Sequence, residues 1–80
     1  MKLQKGLVVR ADAGRDKDKF FVVTDCGEDH CFIADGKSRK LGSPKRKNIK
    51  HISPTDSMID LNDITDKKLR VLLRQYGVSE

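Results

Sequence analysis

The run Gly6-Leu7-Val8-Val9-Arg10-Ala11-Asp12-Ala13-Gly14-Arg15-Asp16-Lys17-Asp18, continuing as Lys19-Phe20-Phe21-Val22-Val23-Thr24-Asp25, decides the fold. Its first part, Gly6 to Asp12, alternates as a strand does. Leu7, Val9 and Ala11 fall on one face, and Val8, Arg10 and Asp12 on the other. Gly14 to Asp18 is rich in residues that tolerate unusual backbone angles and reads as a turn. Lys19 to Asp25 is dense in phenylalanine and valine, which suit a pleated, half-buried surface, and reads as the second strand.

The same rhythm continues outward. Cys26 to Asp29 is a turn and His30 to Asp35 a third strand. A longer connection follows from Gly36 to Pro44, with two glycines and a proline. Lys47 to Ile52 fits a fourth strand with thin apolar positions. Ser53 to Asp56 reads as another turn, and Ser57 to Asp60 as a short fifth strand. From Leu61 the period changes. Leu69, Leu72, Leu73 and Tyr76 stand at i, i+3, i+4 and i+7, one face of a helix. Thr65 or Asn62 is its N-cap. Asp66 suits a first turn where the helix dipole favours negative charge, and Gly77 is placed to stop it. Lys67, Lys68, Arg70 and Arg74 occupy part of the opposite face. The expectation is a mainly β chain: a small five-stranded barrel over residues 1–60, with a C-terminal amphipathic helical extension over 61–80 packed on or beside it.

Eighty residues make one domain, and a chain of this size buries only roughly 60% of its unfolded surface. A deep catalytic pocket is hard to build from so small a core. No apolar run approaches the ~20 residues a membrane span needs. The N-terminal apolar run, Leu7 to Val9, is too short for a signal peptide. A cytoplasmic protein with reduced thiols at Cys26 and Cys31 is expected, with no membrane partner.

Charge is unevenly spread. Residues 37–51 hold seven basic side chains (Lys37, Arg39, Lys40, Lys45, Arg46, Lys47 and Lys50) and no acid, against a net charge of +5 for the whole chain. A basic run is usually a solvated face. One free of interspersed acids is the footprint of a surface that meets a polyanion.

Two motifs extend the first run: Ile33-Ala34-Asp35-Gly36-Lys37-Ser38-Arg39-Lys40 and Pro44-Lys45-Arg46-Lys47-Asn48-Ile49-Lys50-His51. Together with the glycine, short apolar strand and Ala-Gly-Arg-Asp loop of residues 6–18, they resemble KOW-domain RNA-binding proteins. That group includes small bacterial proteins and related large-subunit ribosomal proteins of archaea and eukaryotes. The resemblance covers about residues 4 to 53; nothing in 61–80 matches it. It implies an SH3-like five-stranded barrel that binds structured RNA, often ribosomal RNA, without enzymatic activity.

Under that resemblance the turn at Gly14 offers a bare backbone N–H to a phosphate, and Arg15 and Lys17 project from the same turn to clamp it. Their competing reading is pairing with Asp16 and Asp18 on a solvated loop. Lys37, Arg39 and Lys40 occupy the loop after the third strand, and Lys45, Arg46, Lys47 and Lys50 lead into and along the fourth. Side chains on a strand alternate, so these cannot all share a face unless the chain is irregular up to about Lys47. Asn48 can bond a base edge or a 2′-hydroxyl. His51 either meets RNA or is a partly buried barrel histidine. With Phe20, Phe21, Phe32 and Tyr76 the only aromatics, and at least two phenylalanines needed inside, binding to phosphates and shape is expected rather than base stacking.

Cys26, His30 and Cys31 offer at most three metal ligands, short of the four of a structural zinc site, so no metal or cofactor is expected. The serines lie in no nucleophile motif, and no phosphate-binding loop signature occurs. The protein is expected to be a monomeric, ribosome-associated RNA binder. The competing reading is a protein-interaction module of a transcription or translation complex that docks through the exposed helix 65–76.

Overall fold

A computed structural model describes residues 3–77. It is mainly β, with one antiparallel five-stranded sheet and one C-terminal helix, an arrangement compatible with a small SH3-like barrel. The strands are β1 (Leu7–Ala11), β2 (Phe20–Cys26), β3 (His30–Ala34), β4 (Lys45–Asn48) and β5 (Ile52–Met58), followed by α1 (Asp66–Gly77). Their spatial order is β4-β3-β2-β1-β5. The two edge strands are joined by a single 3-10 turn, Ile49–His51, so the sheet curls back on itself. Register slips between Val23 and Asp25 in β2 and between Leu7 and Val9 in β1 bend it further.

The alternation read in the sequence sorts residues between two cores. Leu7, Val9 and Ala11 join Phe21, Val23, Cys31, Ile33 and Ile52 on the concave inside. Val8, Val22 and Ala34 are cross-strand partners and form an apolar stripe on the convex outside. Leu69 and Leu73 of α1, with Ile59, bury that stripe, and Tyr76 meets Phe20 with ring centroids 6.0 Å apart. The helix thus covers a side of the barrel rather than an end. Leu72, expected on the same face, is 39% exposed. Thr65 is the N-cap, its Oγ1 accepting from the Lys68 N–H at 3.1 Å. Residues 78–80 of the expected extension lie outside the described residues.

Two strand boundaries differ from expectation. The fourth strand begins at Lys45 and ends at Asn48, giving way to the 3-10 turn where a strand was expected. Ser53 to Asp56, expected as a turn, runs inside β5. Proline is tolerated there because β5 is an edge strand with a bulge, where a ladder bond is already missing. At that bulge the Thr55 hydroxyl donates to the Val8 carbonyl at 2.7 Å, satisfying the backbone that the slip leaves open.

Candidate nucleic-acid interface

The interface begins with one acid. Asp16 ends the short 3-10 turn Gly14–Asp16 and is 3% exposed. Its carboxylate takes the Arg39 guanidinium at 3.1 Å and stands 3.9 Å from the Lys45 ammonium. A buried charge must be paired, so this acid draws the 36–44 connection and the start of β4 onto the β1–β2 turn. Lys47 adds a third tie by donating to the Ala13 carbonyl at 3.0 Å. Gly14 begins the turn with φ +77, a left-handed conformation that glycine adopts without strain. Arg15 and Lys17 stand exposed beside it. The expected alternative, in which they pair with Asp16 and Asp18, is not what forms: Asp16 faces inward, to cations more than twenty residues away.

β4 shows why its apolar pattern looks thin. Lys45 and Lys47 lie opposite Ile33 and Cys31, both interior residues. Cross-strand partners share a face, so these two lysine stems cover the barrel mouth while their ammonium groups reach the turn. Arg46 and Asn48 lie opposite Phe32 and His30 on the other face. There they line a small recess with Asp29 and His30. The basic run of residues 45–48 is therefore regular strand, split by alternation between two faces.

The remaining candidates are also placed. Asn48 caps the 3-10 turn, its Oδ1 accepting from the Lys50 N–H at 2.9 Å, which leaves its amide NH2 for other partners. Lys50 and His51 are exposed in that turn, and His51 is not the half-buried barrel residue that was the competing reading. Lys37 and Lys40 line a cleft against α1. Their loop is tied to its own acid: the Asp35 carboxylate accepts the Lys37 and Arg39 N–H groups, each at 2.8 Å. The helix holds the same loop, with Asp66 accepting the Leu41 N–H at 2.8 Å and Arg70 donating to the Gly36 carbonyl at 2.8 Å.

The sequence reading missed Asp16 as organiser and missed Lys19, Arg70 and Arg74, which share the cleft with Lys37 and Lys40. The i, i+4 spacing of Arg70 and Arg74 was the available signal for the last pair. Cys31 points into the barrel, where burial pushes its thiol up to about 11, and Cys26 is exposed at the hairpin end. His30 turns to Asp29, their side chains 3.0 Å apart, and this hydrogen bond holds the Asp29 carboxyl below its usual range. Among the described residues no three histidine, cysteine or acidic side chains gather to hold a metal ion. Among them, too, no helix is long and apolar enough to cross a membrane.

Fold and surface together define a small β-barrel whose mouth is rimmed with positive charge. No family model matches the chain. The chain is similar to the large ribosomal subunit protein eL14 of Sulfolobus acidocaldarius, 26% identical over 80 residues that cover 98% of this chain and 83% of that protein. That relative is a large-subunit ribosomal protein, the class of protein to which the motifs are similar.

Proposed function

We propose that this is a non-enzymatic, ribosome-associated RNA-binding protein of the cytoplasm, acting as a monomer through its basic loops. In this reading the barrel of residues 1–60 grips folded RNA through its phosphates and shape, and the extension of 61–80 braces the gripping loop. The observation that carries it is the collection of Arg39, Lys45 and Lys47 on the Gly14–Asp16 turn, next to exposed Arg15 and Lys17. Cations tied down before the ligand arrives lose little side-chain freedom on binding. Similarity to a large-subunit ribosomal protein favours ribosomal RNA as the partner. Gly14, Arg15, Lys17, Lys37, Lys40, Lys50 and His51 supply the exposed contacts, and Asn48 a polar one.

Fluorescence anisotropy with a ribosomal RNA fragment, across ionic strength, tests the reading. Five to seven phosphate contacts give a slope of log K against log salt of about −4 to −6. A salt-independent affinity rejects it. Arg15→Glu with Lys17→Glu is the cleaner charge reversal, because Lys45 and Lys47 also hold the fold together. The second reading, docking on a protein of a transcription or translation complex, draws on Val71 and Leu72, which are 54% and 39% exposed on α1. Val71→Ser with Leu72→Ser would abolish that docking and leave RNA affinity unchanged.

A further inference from the structure

The cleft of about 840 Å³ between α1 and the loop after β3 gathers cations from three separate elements. Lys19 comes from the approach to β2, Lys37 and Lys40 from the loop, and Arg70 and Arg74 from successive turns of the helix. Two carboxylates, Asp18 and Asp35, face these five cations. Asp35 is already engaged, accepting two backbone N–H groups of its own loop and the Ser38 hydroxyl at 3.2 Å. The cleft therefore keeps an excess of positive charge.

Its lining residues also adjoin the barrel mouth along the chain. Arg39 lies between Lys37 and Lys40 in the chain and turns to Asp16, while they turn to the helix. Lys19 follows closely on the Gly14–Asp16 turn. A ligand that meets both surfaces must carry negative charge at repeated intervals along its length. We infer that the cleft walled by Lys19, Lys37, Lys40, Arg70 and Arg74 is a second phosphate-binding surface, which carries the RNA backbone from the barrel mouth onto the C-terminal helix. This inference rests on the RNA-binding reading. It gives α1 a direct contact with the ligand in addition to its packing role.

Arg70 also ties the helix to Gly36, so its replacement would confound folding with binding. The test uses Lys19→Gln with Arg74→Gln, and separately Lys37→Gln with Lys40→Gln, whose loop is held by backbone bonds. Each full-length variant is titrated with a short fluorescein-labelled RNA stem-loop across ionic strength, alongside Arg15→Gln with Lys17→Gln at the barrel mouth. Losing two phosphate contacts makes the salt slope shallower by about 1.5. That change is expected in both cleft variants, with thermal midpoints close to the wild-type value. If the barrel-mouth variant flattens the slope and both cleft variants leave affinity and slope unchanged, the inference is overturned, Lys37 and Lys40 leave the set of contacts, and RNA binding through the barrel mouth stands. If the wild type binds the stem-loop without salt dependence, both fall. Polyglutamate, titrated in parallel, tests the other polyanion. Cleft variants that lose polyglutamate but keep RNA would assign the cleft to an acidic protein and overturn the inference.

Discussion

The barrel mouth and the helix cleft hold positive charge in different ways. At the mouth, Arg39 and Lys45 converge on one buried carboxylate, and Lys47 bonds a backbone carbonyl. Their geometry is fixed by side-chain chemistry, and part of their charge is neutralised. In the cleft, Lys37 and Lys40 are exposed, and backbone bonds to Asp35 and Asp66 position their loop. Their charge exceeds that of the two carboxylates in the cleft, but its location depends on the helix. Acid removal should therefore disturb the mouth first, and loop undocking the cleft first.

The largest effect is expected at the junction of loop and helix. Gly36 has φ +78, and a Cβ there would stand 2.2 Å from the Asp66 carbonyl oxygen. Both strain and overlap oppose a side chain, so Gly36→Ala should cost about 3 kcal/mol. Urea denaturation measures this, and cleft binding should weaken with it. A neutral result would show that the loop is not seated on α1.

Next comes Asp16→Ala, which leaves Arg39 and Lys45 without their acid. Breaking a fully buried pair costs ~3–5 kcal/mol. The cations here are 28% and 34% exposed, so solvent screening reduces the expected loss to about 2 kcal/mol. Chemical denaturation should report it at the mouth while the cleft variants of the RNA assay behave as before. Arg15→Gln, on the same turn but exposed, should change stability by less than ~0.5 kcal/mol.

Gly14→Ala separates conformational strain from crowding. Among the described residues, an added Cβ would meet only the Lys47 ammonium, at 3.6 Å, an ordinary contact. The positive φ alone opposes it, for a loss of about 1 kcal/mol in thermal unfolding.

The smallest effect belongs to a half-buried acid, Asp12, for contrast with Asp16. Hydrogen bonding from Ser53, with Arg10 beside it, holds its carboxyl below the usual value. A carboxylate depressed in the folded state contributes stability that is fully present above the unfolded value and is lost as pH falls through the folded one. Wild type should thus exceed Asp12→Asn in thermal stability at neutral pH, and the gap should close on acidification below that folded value. A gap that persists in acid would mean the hydrogen bond does not depend on the carboxylate charge.

Much of the fold was legible because alternation is local. Leu7, Val9 and Ala11 declare one face and Val8 another, whatever surrounds them. The helix was legible from its period, and Thr65 from its capping chemistry. β4 and β5 were harder to bound. Lysine stems at 45 and 47 do the covering that apolar residues do elsewhere, and Pro54 suggests a turn unless the edge position and bulge of β5 are known. The basic segment was visible as composition, but its division between mouth, outer face and cleft was not.

Periodicity, turn chemistry and charge density are properties of neighbouring residues, so the chain alone determined five short strands, one amphipathic helix and a concentrated basic segment. The partnership of Asp16 with Arg39 and Lys45, and of Gly36 with Asp66 and Arg70, joins residues more than twenty positions apart. Only folding brings such groups within reach, because burial of one acid and close backbone approach at one glycine arise when the sheet has curled and the helix has docked.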